Sequence, residues 1–308
     1  VGARQIFETE DEALGKDPSL AYLIPNKISF HLNLQGPSEV VNTYCTSAYV
    51  AIHRAIQSVT SGECDQAIIG GVNVIASNEM SIIAASSSDA LMSKNGLTKS
   101  FSEDAGGFVR SEGVGVVIIK PLAAAEKDQN EILGVIKGTS VYHGGKGFSL
   151  EAPSAKAIKE VIQQSIAKTN ITVDTIDYIE AHGIANPMAD AIELGAINMA
   201  YRKLSNNPDK KWAIGTVKPT VGHPELAAGM ASLFKVLKAF ENKRIPAIGG
   251  LDKVNSELPA DHSLILPAES MYWKNGQHPR RAALNSYAVG GVNAHIILEE
   301  YPRRSKEG

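Results

Sequence analysis

Apolar, β-branched runs alternate with amphipathic helical runs along most of this chain, and that alternation restricts the fold more than any other feature. AYVAIHRAIQSVTSG predicts a helix with one apolar face and Gly62 just past its end. CDQAIIGGVNVI, GVGVVIIKPL and EILGVIKGTSVY predict strands. SAKAIKEVIQQSIAKTN predicts a helix that Asn170 ends, IDYIEAH a strand, and ADAIELGAINMAYRKL the helix after it. KWAIGTVKPTVGH reads as strand then loop, and LAAGMASLFKVLKAFENK as a long helix. RAALNSYAVGGVNAHIILEEY reads as strand, glycine turn and second strand. The expected class is a layered α/β fold. A length of 308 residues suggests two units, or one large double unit. The polar stretch at 123–130 is the expected joint between halves at 1–122 and 123–308.

Composition narrows the function. Lys plus Arg is 30 against 33 Asp plus Glu, a formal net charge of −3, which excludes a strongly basic nucleic-acid binder and an acidic tail. No run of about 18 apolar residues is present, so no membrane span is expected. Two cysteines, Cys45 and Cys64, build neither a disulfide framework nor a CxxC zinc pattern, and a reducing cytoplasm is the expected location. No dinucleotide fingerprint, Walker loop or HExxH pattern occurs, and no metal is expected.

Three residues fall where α/β proteins place chemistry. Cys45, in VVNTYCTSAYVAIH, lies between an apolar run and a helix. A helix N-terminus offers free N–H groups and a dipole that favour a thiolate, and nearby amides can hold an oxyanion. The bland alternative is a buried structural thiol. His182, in YIEAHGIANPMADAIE, and His223, in GTVKPTVGHPELAAGM, lie in loops between a strand and a helix. Such loops line one edge of a parallel sheet. A single loop histidine is usually a surface residue, but Cys, His and His in three such loops form a stronger coincidence. Cys64 opens an apolar strand and is expected in the core. His31, His53, His143, His262, His278 and His295 are read as structural. Gly290 and Gly291 permit a tight turn near a ligand, or simply a hairpin bend.

The motifs in order are NKISFHLNLQGPSEVVNTYCTSA, GECDQAIIGGVN, FSEDAGGFVRSEGVGVVIIKPL, YIEAHG, KPTVGHPELAAGMA and NSYAVGGVNAHIILEEYP. With these the chain resembles ketosynthase domains of type I polyketide synthases, among the thiolase-fold condensing enzymes. HGGKGFSLEAPSAKAIK and HGIANPMADAIELGA are most similar to ketosynthases of trans-acyltransferase assembly lines. The resemblance runs from about residue 20 to the C-terminal end. It implies a thiolase-like α/β/α/β/α layered fold, with Cys45 as acyl-accepting nucleophile and His182 and His223 as its partners. It implies an oxyanion hole from the amides of Cys45 and Val289. Lys218 and Glu225 match a charged pair framing His223, Asp190 and Glu193 the acidic positions after the first histidine, and Gly290, Gly291 and Asn293 the C-terminal glycine loop. No cofactor is implied beyond the phosphopantetheine of acyl carrier proteins. The partners implied are an acyl carrier protein, neighbouring synthase domains and a second copy in a homodimer.

The chain departs from the family at several positions. Ile184 and Asn186 replace two threonines whose hydroxyls hold the phosphopantetheine arm. Ala288 and Val292 stand where glycine and threonine are usual, which reshapes the pocket floor. Tyr44 replaces a small residue before the cysteine, which narrows or redirects the acyl tunnel. Only 44 residues precede Cys45, so the N-terminal part of the domain is expected to be missing and supplied elsewhere. The expected consequence is an unpaired strand edge or exposed apolar face, with the VV run before Cys45 as an interior strand. Beside the condensing reading stand a transfer-only ketosynthase and a non-catalytic docking fragment.

Overall fold

The computed structural model describes residues 18–75, 91–258, 263–274 and 276–302. In chain order the elements are α1 (Leu23–His31), α2 (Ser47–Ser61), β1 (Ala67–Asn73), β2 (Gly113–Ile119), α3 (Leu122–Lys127), β3 (Val135–His143) and α4 (Ala155–Ala167). There follow β4 (Tyr178–Glu180), α5 (Pro187–Leu204), β5 (Trp212–Gly215), α6 (Lys218–Val221), α7 (Ala228–Asn242), β6 (Arg244–Ile245), β7 (Leu264–Ile265), β8 (Met271–Tyr272), β9 (Arg281–Tyr287) and β10 (Val292–Glu299).

The alternation read from the sequence is realised as a six-stranded mixed sheet in the order β3-β10-β9-β4-β5-β7. β9, β4, β5 and β7 run parallel, while β10 is antiparallel to both β9 and β3. Helices α4 and α5 pack on one face through Ile158, Val161, Ile162, Leu194, Ile197 and Tyr201, all buried. Helices α2 and α7 cover the other face through Tyr49, Ile52, Leu233, Val236 and Phe240. Each such side chain contributes about 1.5–3 kcal/mol of transfer free energy.

The two-stranded β1–β2 sheet forms a further layer on the far side of α2 and α7. Gly115 makes this approach possible, since a Cβ there would lie 2.7 Å from Met230. Its outer face carries Ile68, Val72, Val114, Val116 and Ile118, all exposed. Four of the five expected layers, α/β/α/β, are therefore present among the described residues, and an apolar sheet face lies open where the fifth would sit.

Local signals place most elements. Gly62 closes α2 in the left-handed conformation, φ 81°, as the sequence predicts. Ser154 caps α4 by accepting from the Ala157 amide, although that helix ends at Ala167, before Asn170. The stretch expected to join the halves is partly helical, as α3. Two expectations fail. The VV run before Cys45 is not a strand: residues 35–43 lack regular structure and Val40 is exposed. Cys64 is half-buried in the loop before β1 rather than in the core. Both are apolar stretches whose fate depends on neighbours supplied by distant chain.

Candidate active site

Because β4 and β5 are parallel neighbours, their C-terminal ends open on the same edge of the sheet. His182 follows β4 by two residues. His223 follows β5 after the single turn of α6. Cys45 reaches the same point from the other half, in a short 3-10 turn over Tyr44–Thr46 that runs into α2. The thiol, His182 and His223 converge: Cys45 Sγ lies 3.2 Å from His223 Nε2. One ligand atom from each of the three lies within 4.8 Å of the others. The two imidazoles meet edge to face, with centroids 5.5 Å apart.

Each histidine is held from behind. Lys218 Nζ donates to the His182 carbonyl and sits 3.4 Å from His182 Nδ1. Ser286 Oγ also lies 3.3 Å from that Nδ1. Glu193 receives the amides of His182 and Gly183 at 2.7 and 2.9 Å and the Asn285 side-chain amide at 2.8 Å. Asp190 receives the Phe101 amide at 2.8 Å. The His223 backbone is pinned to residues 109–111: its N–H donates to Val109 O at 2.7 Å, and its carbonyl accepts from Ser111 N at 3.1 Å. Gly222 makes this possible. Its φ is +76°, and a Cβ there would lie 2.9 Å from Ser111. Glu225 accepts from Arg110 Nε at 2.7 Å and Nη2 at 2.9 Å, and from the Tyr44 hydroxyl at 3.4 Å.

The charge of Lys218 acts on His223 as well as on Cys45, while its hydrogen bonds go to His182. Glu225 pairs with Arg110 beside His223. Arg110, Asn285 and Ser286 were missed by the sequence reading. Their only signals were their places inside the FVRSEG and NSYAVGG motifs.

Burial sets the charge states. The Cys45 thiol is pushed up to about 12 by desolvation, with the Lys218 charge pulling the other way. The expected helix-stabilised thiolate is thus not the resting form. Desolvation outweighs the dipole, and a neutral thiol faces His223. Burial holds His182 and His223 well below the usual histidine range, reinforced by Lys218, so both rings are neutral. Burial raises Asp190 to about 8 and lowers Lys218, whose charge is favoured by Cys45, Glu193, Glu180 and Asp190.

The remaining site residues have other tasks. Ile184 is buried against Phe108 and Ala189. The Asn186 side chain accepts from Ala189 N at 3.0 Å and caps α5. Val289 lies half-exposed in the turn between β9 and β10. Gly290 donates to Leu150 O, Gly144 donates to Gly291 O, and the Asn293 amide clamps Gly291 O at 3.0 Å.

The layered fold and the buried Cys–His–His centre define the class of thiolase-like condensing enzymes. Residues 7–125 match the family model for the Beta-ketoacyl synthase, N-terminal domain, and residues 133–252 that for the Beta-ketoacyl synthase, C-terminal domain. The chain belongs to the beta-ketoacyl synthase family.

It is 44% identical over 292 residues to the polyketide synthase PksR of Bacillus subtilis (strain 168), an alignment covering 91% of this chain and 11% of that protein. It is 42% identical over 291 residues to the polyketide synthase ThaG of Burkholderia thailandensis, covering 90% of this chain and 5% of the relative. Among solved structures it resembles the ketosynthase from module 6 of the bacillaene synthase of Bacillus subtilis 168, with TM-score 0.87 and 32% identity over 91% of this chain and 51% of that one. It also resembles the Streptomyces albus JA3453 oxazolomycin ketosynthase domain OzmH KS7, with TM-score 0.89 and 30% identity over 100% of this chain and 56% of the other. The chain thus spans about half the length of these solved ketosynthases and a small part of the curated relatives. No helix among the described residues is long and apolar enough to cross a membrane.

Proposed function

We propose that this chain supplies the condensing centre of a polyketide synthase. It would take an acyl group from an acyl carrier protein onto Cys45 and join it to a malonyl unit by decarboxylative Claisen condensation. The observation that carries this reading is the 3.2 Å approach of Cys45 Sγ to His223 Nε2, with His182 beside them.

In the first half-reaction the sulfur attacks the carrier thioester. The thiol proton passes to the neutral His223 at Nε2 as the carbon–sulfur bond forms. It then passes to the departing pantetheine thiolate, so the imidazole is regenerated. Backbone amides of Cys45 and Val289 are the proposed donors to the tetrahedral oxyanion. In the second half-reaction His223, having exchanged its ring proton through water from Nδ1 to Nε2, donates together with His182 to the malonyl thioester carbonyl, and the enolate forms as carbon dioxide leaves. Its carbon attacks the acyl group on Cys45, and the sulfur departs as thiolate and takes up a proton from solvent. Lys218, Ser286 and Glu193 orient His182, while Glu225 and Arg110 hold the rim beside His223. The reaction as proposed uses no resident metal or nucleotide. The phosphopantetheine arrives with the carrier.

A second reading, transfer without elongation, draws on Ile184 and Asn186. One is buried in an apolar cluster and the other is spent on a helix cap, so neither offers the hydroxyl expected for the arm. The position of His223 favours elongation. The proposed partners are an acyl carrier protein, adjoining synthase domains of the trans-acyltransferase kind, a second copy of the chain, and a segment covering the open face of β1 and β2. The proposed location is the cytoplasm. Intact-protein mass spectrometry after incubation with an acyl carrier protein tests loading. Release of carbon dioxide from malonyl carrier protein separates elongation from transfer. Absence of any adduct at Cys45 would leave only the non-catalytic reading.

A further inference from the structure

We infer that His143 is a positioning residue, which aims the Val289 amide at the reacting carbonyl by latching the β9–β10 turn to the loop after β3. This role rests on the proposed acyl loading of Cys45. β9 reaches the turn directly from the centre. Ser286 Oγ donates to the Cys45 carbonyl at 3.4 Å, and the Tyr287 ring centroid lies 4.4 Å from that of His182. The chain then turns over Ala288–Gly291, closed by Gly291 N–H donating to Ala288 O at 3.1 Å. The bonds of this turn single out one donor. Ala288 N–H donates to Val292 O at 2.9 Å, and Gly290 N–H to Leu150 O at 3.0 Å. The Val289 N–H finds no acceptor among the described residues. It is the amide of the turn that a developing oxyanion can take.

His143, the last residue of β3, holds that amide through two rigid peptide units. Its Nδ1 accepts the Gly145 N–H at 3.0 Å, and its Nε2 lies 2.8 Å from Gly290 O. An acceptor at Nδ1 fixes the neutral tautomer, so Nε2 carries the hydrogen and donates to Gly290 O. Gly290 O and Gly291 N–H belong to one planar peptide unit. That N–H grips Ala288 O, which shares the next planar unit with Val289 N–H. Fixing Gly290 O therefore fixes the direction of the Val289 N–H. Glycine at 291 lets the ring come this close, since a Cβ there would lie 3.1 Å from His143 Nε2. Gly144 N–H, donating to Gly291 O at 2.9 Å, ties the same two loops together.

Two replacements separate the two contacts of the ring. His143→Gln keeps an amide donor near the Nε2 position and reaches Gly290 O, whereas His143→Asn ends near the Nδ1 position and reaches only Gly145. Acylation of Cys45 by the butyryl thioester of N-acetylcysteamine is followed by intact-protein mass spectrometry. In His143→Asn the maximal acylation rate is expected to fall about tenfold with half-saturation unchanged, short of the roughly 10²–10³ that outright loss of an oxyanion donor costs. In His143→Gln it is expected to return to the parent rate. Alkylation of Cys45 by iodoacetamide develops no oxyanion, so its rate is expected to be equal in all three proteins. Hydrogen exchange of the peptide spanning 287–293 is expected to quicken in His143→Asn alone. Slowed alkylation, unchanged exchange in His143→Asn, or rescue by Asn instead of Gln each overturns the inference. A parent that takes no acyl group overturns the loading reading and the role of His143 with it. A parent that loads, with His143→Asn loading equally fast, overturns the role of His143 alone.

Discussion

Cys45 Sγ and His223 Nε2 lie 3.2 Å apart although 178 residues separate them in the chain. The contact joins a turn at the head of α2 to a loop that β5 delivers from the other half. A buried thiol held near 12 and a neutral imidazole face each other there. In the proposed reaction this pairing couples proton transfer to nucleophilic attack.

Replacing Cys45 by Ala is expected to abolish acyl loading, whereas Cys64→Ala, in a half-buried loop position, leaves it intact. Intact-mass measurement after incubation with a carrier-bound acyl group reads both. Equal loading of the Cys45→Ala protein contradicts the assignment of the nucleophile.

Removing the His223 imidazole is expected to slow loading as well as decarboxylation, each by about 10²–10⁴-fold, the usual worth of a positioned base. In His223→Ala the loading rate is expected to climb about tenfold per pH unit across the alkaline range, because the thiol titrates near 12. A pH-independent loading rate in that variant would mean the sulfur is already ionised.

Asn186 is placed here as a helix cap, so Asn186→Ala is expected to destabilise the chain by about 1 kcal/mol, while Asn186→Thr stays within about 0.5 kcal/mol, since Thr caps nearly as well. Thermal melting of the two variants decides the point. Equal melting of the Ala variant and the parent removes the capping role.

His295 is fully buried, bonded through Nδ1 to Ser165, with burial lowering it to about 3. Its unfolded value is near 6.5, so between pH 6.5 and 3 the unfolded chain binds the extra proton. Stability contributed at neutral pH is therefore lost as pH falls through this window, at about 1.4 kcal/mol per unit for this one group. Asp190, raised to about 8, acts in the opposite sense above its unfolded value, so the total slope is shallower than the histidines alone dictate. The difference in slope between the parent and His295→Gln isolates the one-proton term, and urea melts at pH 4.5, 5.5 and 6.5 measure it. Parallel curves would show that His295 is charged in the folded state.

The two faces of β1–β2 are expected to answer differently to substitution. Val116→Lys on the open face changes stability by no more than about 0.5 kcal/mol. Met230→Ala, beneath the inner face where Met230 is 1% exposed, costs about 2–5 kcal/mol. A large loss from Val116→Lys in denaturant melts would show that another surface covers the open face in solution.

The features legible in the residues alone are local: helix α2 and its Gly62 stop, the Ser154 cap, the β9–β10 hairpin, and the family motifs holding Cys45, His182 and His223. Periodicity, caps and turn residues act over a few positions, and those are legible in a string. Tertiary structure decided what depends on distant neighbours. It sent Lys218 to His182 and Glu225 to Arg110, although the charges stand seven residues apart. It left the VV run before Cys45 without a sheet to join, and Cys64 outside the core. It also made Cys45 a neutral thiol, because ionisation is set by all the groups that exclude water from the sulfur, and those arrive from both halves of the fold.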